Sequence, residues 1–199
     1  ASVFLDNGYP VKVIAGRGKG SALPEGAEFI RIPQLDSQHK EVLQVSGELA
    51  EGRVSDAYRA LRDTIKNRLE QTLSDVENVI AHNIFSKHFN LALTEALKLL
   101  QEEGRISNGI AWCHDFSVAS ENDRPELHQG PPWDILRTYQ PGINYVVVSK
   151  KRQGVLAGIF GIPEEKIQVI YNGFDPNELM GISQRTGRLV NHFSMMDVD

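Results

Sequence analysis

The sequence predicts an α/β fold: a mainly parallel sheet with helices on both faces. Three observations carry that prediction. Six short runs rich in β-branched residues alternate with helical patterns along the chain, and strand, helix, strand repeated in this way places consecutive strands parallel. The 199 residues suit one domain with at most a short appendage. Hydrophobic residues make up 41% and charged residues 24%, which is a globular composition and not a disordered, collagenous or coiled-coil one.

Taken in order, residues 3–8 read as the last turn of a helix that Gly8 stops, and a strand comes at once over 11–15. Gly16-Arg-Gly-Lys-Gly20 has the glycines of a phosphate loop. Pro24 and Gly26 interrupt residues 21–27, and the next element is a strand at 28–32. No helix N-terminus is then available to an anion, so a flexible connection is predicted. Residues 21–52 and 116–130 match no regular pattern and are read as loops. Helices are predicted over 55–73, 90–103, 133–138 and 149–160, the second with Leu91, Leu93, Ala96, Leu97, Leu99 and Leu100 at one-sided helical spacing. The remaining strands fall at 78–81, 110–113, 144–148 and 167–171, and a further helix is predicted over 184–193. The alternation is Rossmann-like.

Charge and composition exclude several function classes. Twenty-one Lys and Arg face 26 Asp and Glu, a net charge of −5, so no basic field gathers nucleic acid. The clearest apolar run, Tyr145-Val-Val-Val148, is far short of the roughly 20 residues that span a bilayer; no membrane span is predicted, which leaves room only for peripheral membrane contact. The first residues lack a basic lead and a long apolar stretch, no Asn-x-Ser/Thr sequon occurs, and the single Cys113 allows no internal disulfide. A cytoplasmic location is expected.

In a parallel sheet, ligands bind beyond the carboxyl ends of the strands, where His82-Asn83 and His114-Asp115 fall. An imidazole at His114 can donate to a sugar hydroxyl or face an incipient charge, with Asp115 orienting it or capping the next segment. The plain alternative is a histidine bonded to a loop carbonyl. Cys113 and His114 point to opposite faces of the strand, so Cys113 is read as a small buried apolar residue and not a nucleophile. His82, His88, His114, Asp115 and His128 offer metal-ligand chemistry, but no H-E-x-x-H or H-x-H spacing occurs, and no metal is expected. Trp133, closing the Gly/Pro-rich 126–133 segment, is read as a core anchor.

Ile80-Ala-His-Asn83, Trp112-Cys-His-Asp115 and above all Tyr145-Val-Val-Val-Ser-Lys-Lys-Arg152 with Gly161-Ile-Pro-Glu-Glu-Lys-Ile-Gln-Val-Ile-Tyr-Asn-Gly-Phe-Asp175 resemble the N-terminal, acceptor-side domain of family 4 retaining glycosyltransferases of the GT-B fold. Phe174 stands where that family usually has Val. The resemblance covers about residues 80–176 and implies transfer of a glycosyl unit from a nucleotide-sugar donor to an acceptor with retention, with no cofactor and no required metal. It implies that 1–176 form that domain without its first strand, which would lie between the strands at 11–15 and 78–81. It implies also that 177–199 are a helical linker towards a donor-binding domain, so that the chain is cut at both ends and inactive alone. His114 matches the family's strand-tip histidine; His114 and Asp115 are the expected catalytic residues, and His82, Asn83, Ser149, Arg152, Asn172 and Gly173 the expected substrate contacts. Two rival readings use the same residues: a non-catalytic Rossmann-like binding module, and a metal-dependent hydrolase built on His82, His114 and Asp115.

Overall fold

Every strand ladder in the computed structural model, which describes residues 1–173, is parallel. β1 (Val11–Ala15) pairs with β2 (Ala27–Arg31), Val13 opposite Phe29. β3 (Asn78–His82), β4 (Asn108–Cys113), β5 (Ile143–Val147) and β6 (Ile167–Val169) form a four-stranded sheet in chain order. Tyr145, Val146 and Val147 are all buried although successive strand residues face opposite ways, so both faces of β5 are covered. This is the predicted Rossmann-like α/β class.

The helices begin and end where side chains can satisfy their free backbone groups. Ser55 opens α3 (Asp56–Thr72), Asn90 opens α4 (Leu91–Glu102) and Ser149 opens α5 (Lys150–Phe160), each side-chain oxygen accepting the backbone N–H three residues on. Gly161 closes α5 at φ 64°, a left-handed cap that favours glycine. α1 (Ser2–Asp6) ends at Asn7 and Gly8, as the sequence predicts for that turn.

Tyr58, Leu61, Ile65 and Leu69, three to four residues apart on α3, pack against the apolar stripe of α4. The Tyr58 hydroxyl donates to the Glu95 carboxylate across this interface, and Arg62 lies 3.4 Å from the same carboxylate. Burial, then Glu95, pushes the Tyr58 phenol well above its ordinary range, so it is a fixed donor.

Three expectations are corrected. The 21–52 stretch, read as loop, contains α2 (Lys40–Ala50), which buries Val42, Val45 and Leu49. Residues 133–138 form only a short 3-10 turn, Trp133–Leu136, although Trp133 is a core anchor as expected. β6 stops at Val169, leaving Ile170 and Tyr171 exposed. The strands lie in two ladders, β1 with β2 and β3 through β6, and no ladder joins β1 to β3, the pair between which the resemblance leaves a strand out; Lys12 of β1 instead holds Asp75, in the turn before β3, at 2.5 Å.

The glycine-rich 16–20 segment is a connection, passing through a 3-10 turn at Gly20–Ala22 into β2. Gly16 is required by close approach, since a Cβ there would sit 2.1 Å from the Asp36 backbone nitrogen. Arg17 holds the Asp36 carboxylate at 2.7 Å and, with the Gln38 N–H, keeps it below the usual carboxylate range.

Ile170–Asp199 form a separate unit, of which residues 170–173 are described. The predicted helix at 184–193, the linker at 177–199 and residues Phe174 and Asp175 lie outside the described residues. Among the described residues, no helix is long and apolar enough to cross a membrane.

Candidate functional site

Parallel pairing in register brings the ends of β3 and β4 level: His82 stands opposite Trp112. The Asn83 N–H donates to the Trp112 carbonyl at 2.8 Å, extending the ladder by one residue. Asn83 then turns at φ 59°, a left-handed conformation that Asn tolerates better than most residues. That turn lets the Asn83 side-chain oxygen accept the His114 N–H at 2.8 Å. The two strand tips are thus locked to one another by backbone and side chain together.

The lock places two imidazoles side by side. The rings of His82 and His114 lie 4.7 Å apart at 48°. His114 Nε2 is buried and has no hydrogen-bond partner among the described residues, a condition that a folded protein tolerates only with a reason. Partial burial, and then His114 beside it, hold His82 below the usual imidazole value, so at neutral pH it is uncharged.

Asp115 pairs with Arg152 in a close ion pair, and the guanidinium lies 5.8 Å above the Phe116 ring. The Ser149 hydroxyl accepts the Arg152 backbone N–H at 3.2 Å as the cap of α5. His82, Asn83, His114, Asp115, Ser149 and Arg152 are therefore linked by direct contacts at the carboxyl ends of β3, β4 and β5. Asn172 and Gly173 belong to the second unit and lie in irregular backbone just past Tyr171.

Cys113 is fully buried and burial pushes its thiol up to about 12, so it is no nucleophile at neutral pH. The histidines grouped from the sequence as ligand chemistry separate in space. His128 Nε2 is 2.9 Å from the Ala50 carbonyl and its ring meets Trp133 edge-on. His88 lies between Ser117 Oγ at 2.8 Å and Glu126 at 3.1 Å. Among the described residues, no three His, Cys, Asp or Glu side chains gather as a metal site. With its carboxylate on Arg152, Asp115 does not join His82 and His114 as the hydrolase reading requires.

Two features escape the sequence. Phe116 supports Arg152, which only the fold reveals. The His88–Glu126 pair joins residues 38 apart in two loops without regular pattern, and no spacing signals it.

Comparison with protein-family models and with curated proteins finds no match to this chain. The fold and the site define a parallel α/β protein with a histidine pair at its strand tips.

Proposed function

We propose that this chain is the acceptor-side domain of a retaining glycosyltransferase of the two-domain GT-B type, acting on a nucleotide-sugar donor whose diphosphate is held mainly by a further domain. The observation that supports it most is His114: its backbone is fixed by Asn83, its ring packs beside His82, and it stands at the carboxyl end of a parallel strand. Glycosyl transfer passes through an oxocarbenium-like transition state, so a preorganised imidazole dipole at the sugar ring stabilises charge as it develops. A neutral His82 alongside adds no competing cation. Arg152 neutralises Asp115, so the cluster offers no free carboxylate pair of the glycosidase kind. Retention, the donor and the cytoplasmic setting come from the resemblance of 80–176 and belong to this proposal.

The test is His114→Ala in the complete enzyme, with nucleoside diphosphate release from UDP- and GDP-sugars as readout. The expected result is a fall in kcat/KM of about 100-fold, the effect of losing one preorganised donor, with an unchanged thermal melt. Wild-type turnover in a variant that melts like wild type would show the histidine to be structural.

A further inference from the structure

We propose that a cavity of about 250 Å³ between α2 and the His88–Phe89 turn binds one neutral, polyhydroxylated ring, a sugar or cyclic polyol. It is separate from the strand-tip cluster and none of the residues singled out there lines it.

The cavity pairs an apolar wall with an oriented polar edge. Leu43 on α2 and Phe89 are each 49% exposed, large apolar side chains that the core leaves open. The polar edge is the His88–Glu126 pair. Ser117 Oγ meets both the His88 backbone N–H at 3.3 Å and Nδ1 at 2.8 Å, which fixes the ring so that Nε2 reaches Glu126 at 3.1 Å. Ser117 is fully buried, so this chain of hydrogen bonds is not a serine nucleophile and its base. Its accessible end is the Glu126 carboxylate, which His88 holds in place with its remaining acceptor capacity turned to the surroundings. Ser46, whose hydroxyl donates to the Phe89 carbonyl at 3.5 Å, and Gln38 add hydroxyl and amide groups to the lining.

A sugar ring matches this pattern, with hydroxyls to give to a carboxylate and C–H faces to lay on Phe89 and Leu43. Size agrees, since a cavity of about 250 Å³ has room for one ring. Charge narrows the class further. Among the described residues lining the cavity none is Lys or Arg; Lys87, whose ammonium lies 4.9 Å from the Phe89 ring centroid, is paired with Asp123 at 3.1 Å. A phosphorylated or carboxylated ring would meet the Glu126 carboxylate with only the His88 imidazole beside it and no Lys or Arg in the lining. As a sugar site the cavity stands by itself; as the acceptor subsite it rests on the glycosyltransferase reading.

The chain, ¹⁵N-labelled, is titrated with D-glucose, myo-inositol and D-glucose 6-phosphate, following the Ser46 and Phe89 amides and the Trp133 indole N–H. Saturable shifts with either neutral compound, binding about tenfold weaker for the phosphate, and a loss of about fivefold or more in Glu126→Gln are expected from one charged hydrogen bond. Phe89→Ala, also at an exposed side chain, should weaken binding while amides of α5 stay in place. No saturable shift with either neutral compound, a phosphate that binds as tightly, or wild-type affinity in Glu126→Gln overturns the proposal. Because no nucleotide sugar is present, a chain that binds the ring while the complete enzyme releases no nucleoside diphosphate would sink the transferase reading alone.

Discussion

Replacing Asn83 by alanine tests how the strand tips are held together. The substitution removes the oxygen that accepts the His114 N–H at 2.8 Å, and a partly buried donor left without a partner costs about 1–3 kcal/mol. It also puts a Cβ-bearing residue without a local polar side chain at φ 59°, which adds about 1 kcal/mol. The sum is about 2–4 kcal/mol, a large share of the roughly 5–15 kcal/mol that holds a domain together. Asn83→Asp keeps both an acceptor and tolerance of the left-handed region, so it should cost less than about 1 kcal/mol. Urea unfolding followed by circular dichroism measures both, and hydrogen exchange should show the His114 amide losing protection in the alanine variant only. Alanine within about 0.5 kcal/mol of wild type, the scatter of an inert surface change, would refute the lock, and so would aspartate costing as much as alanine.

The folded His82 takes up its proton at lower pH than the unfolded chain, whose histidines titrate near 6.5. Its contribution to stability is therefore whole above about pH 6.5 and is lost as pH falls from there through the depressed folded value; urea midpoints collected between neutral and mildly acid pH should fall less steeply in His82→Gln. Cys113, fully buried and with its thiol raised to about 12, should resist a disulfide-exchange reagent in the native chain and react only at the rate of unfolding. Tyr58→Phe removes the donor to Glu95 but leaves that carboxylate beside Arg62, so the loss should be about 1–2 kcal/mol by urea unfolding; a loss above the cost of an unpaired buried charge would mean that Arg62 does not compensate it.

Much of the fold was legible because the strand signal is local. Runs such as Val11–Ala15 and Ile143–Val147 announce themselves by β-branched content, and the caps Ser55, Asn90 and Ser149 reflect side-chain chemistry at helix starts. α2 was hidden by Gly47 within it and by Pro24, Gly26 and Pro33 before it, which read as loop chemistry, while its burial of Val42, Val45 and Leu49 is decided by tertiary packing. The division into two ladders carries no local signal, because pairing depends on partners far along the chain; only the resemblance, which leaves a strand out between 11–15 and 78–81, bears on it. At the site, position at a strand end was enough to pick out His82, Asn83, His114 and Asp115. Their connections were not: Asp115 meets Arg152 across 37 residues, and the Ser149 hydroxyl, expected at a substrate, is engaged in the helix cap.

The separation of the β1–β2 ladder from the β3–β6 ladder bears on how the chain behaves in crowded solution. One edge of β1 and one of β3 present ladder groups with no strand partner among the described residues, and Ile80 on β3 is 43% exposed. Open parallel edges of apolar sequence are templates for any extended segment, including another molecule of the same kind. Lys12 stands in the middle of that hazard. Its ammonium, paired with the exposed Asp75, puts a charge on an edge strand, a device that discourages added strands. A single neutral residue at position 12 would remove that charge while leaving every native hydrogen bond of the β1–β2 ladder intact, and open-ended stacking of one molecule on the next is the expected result.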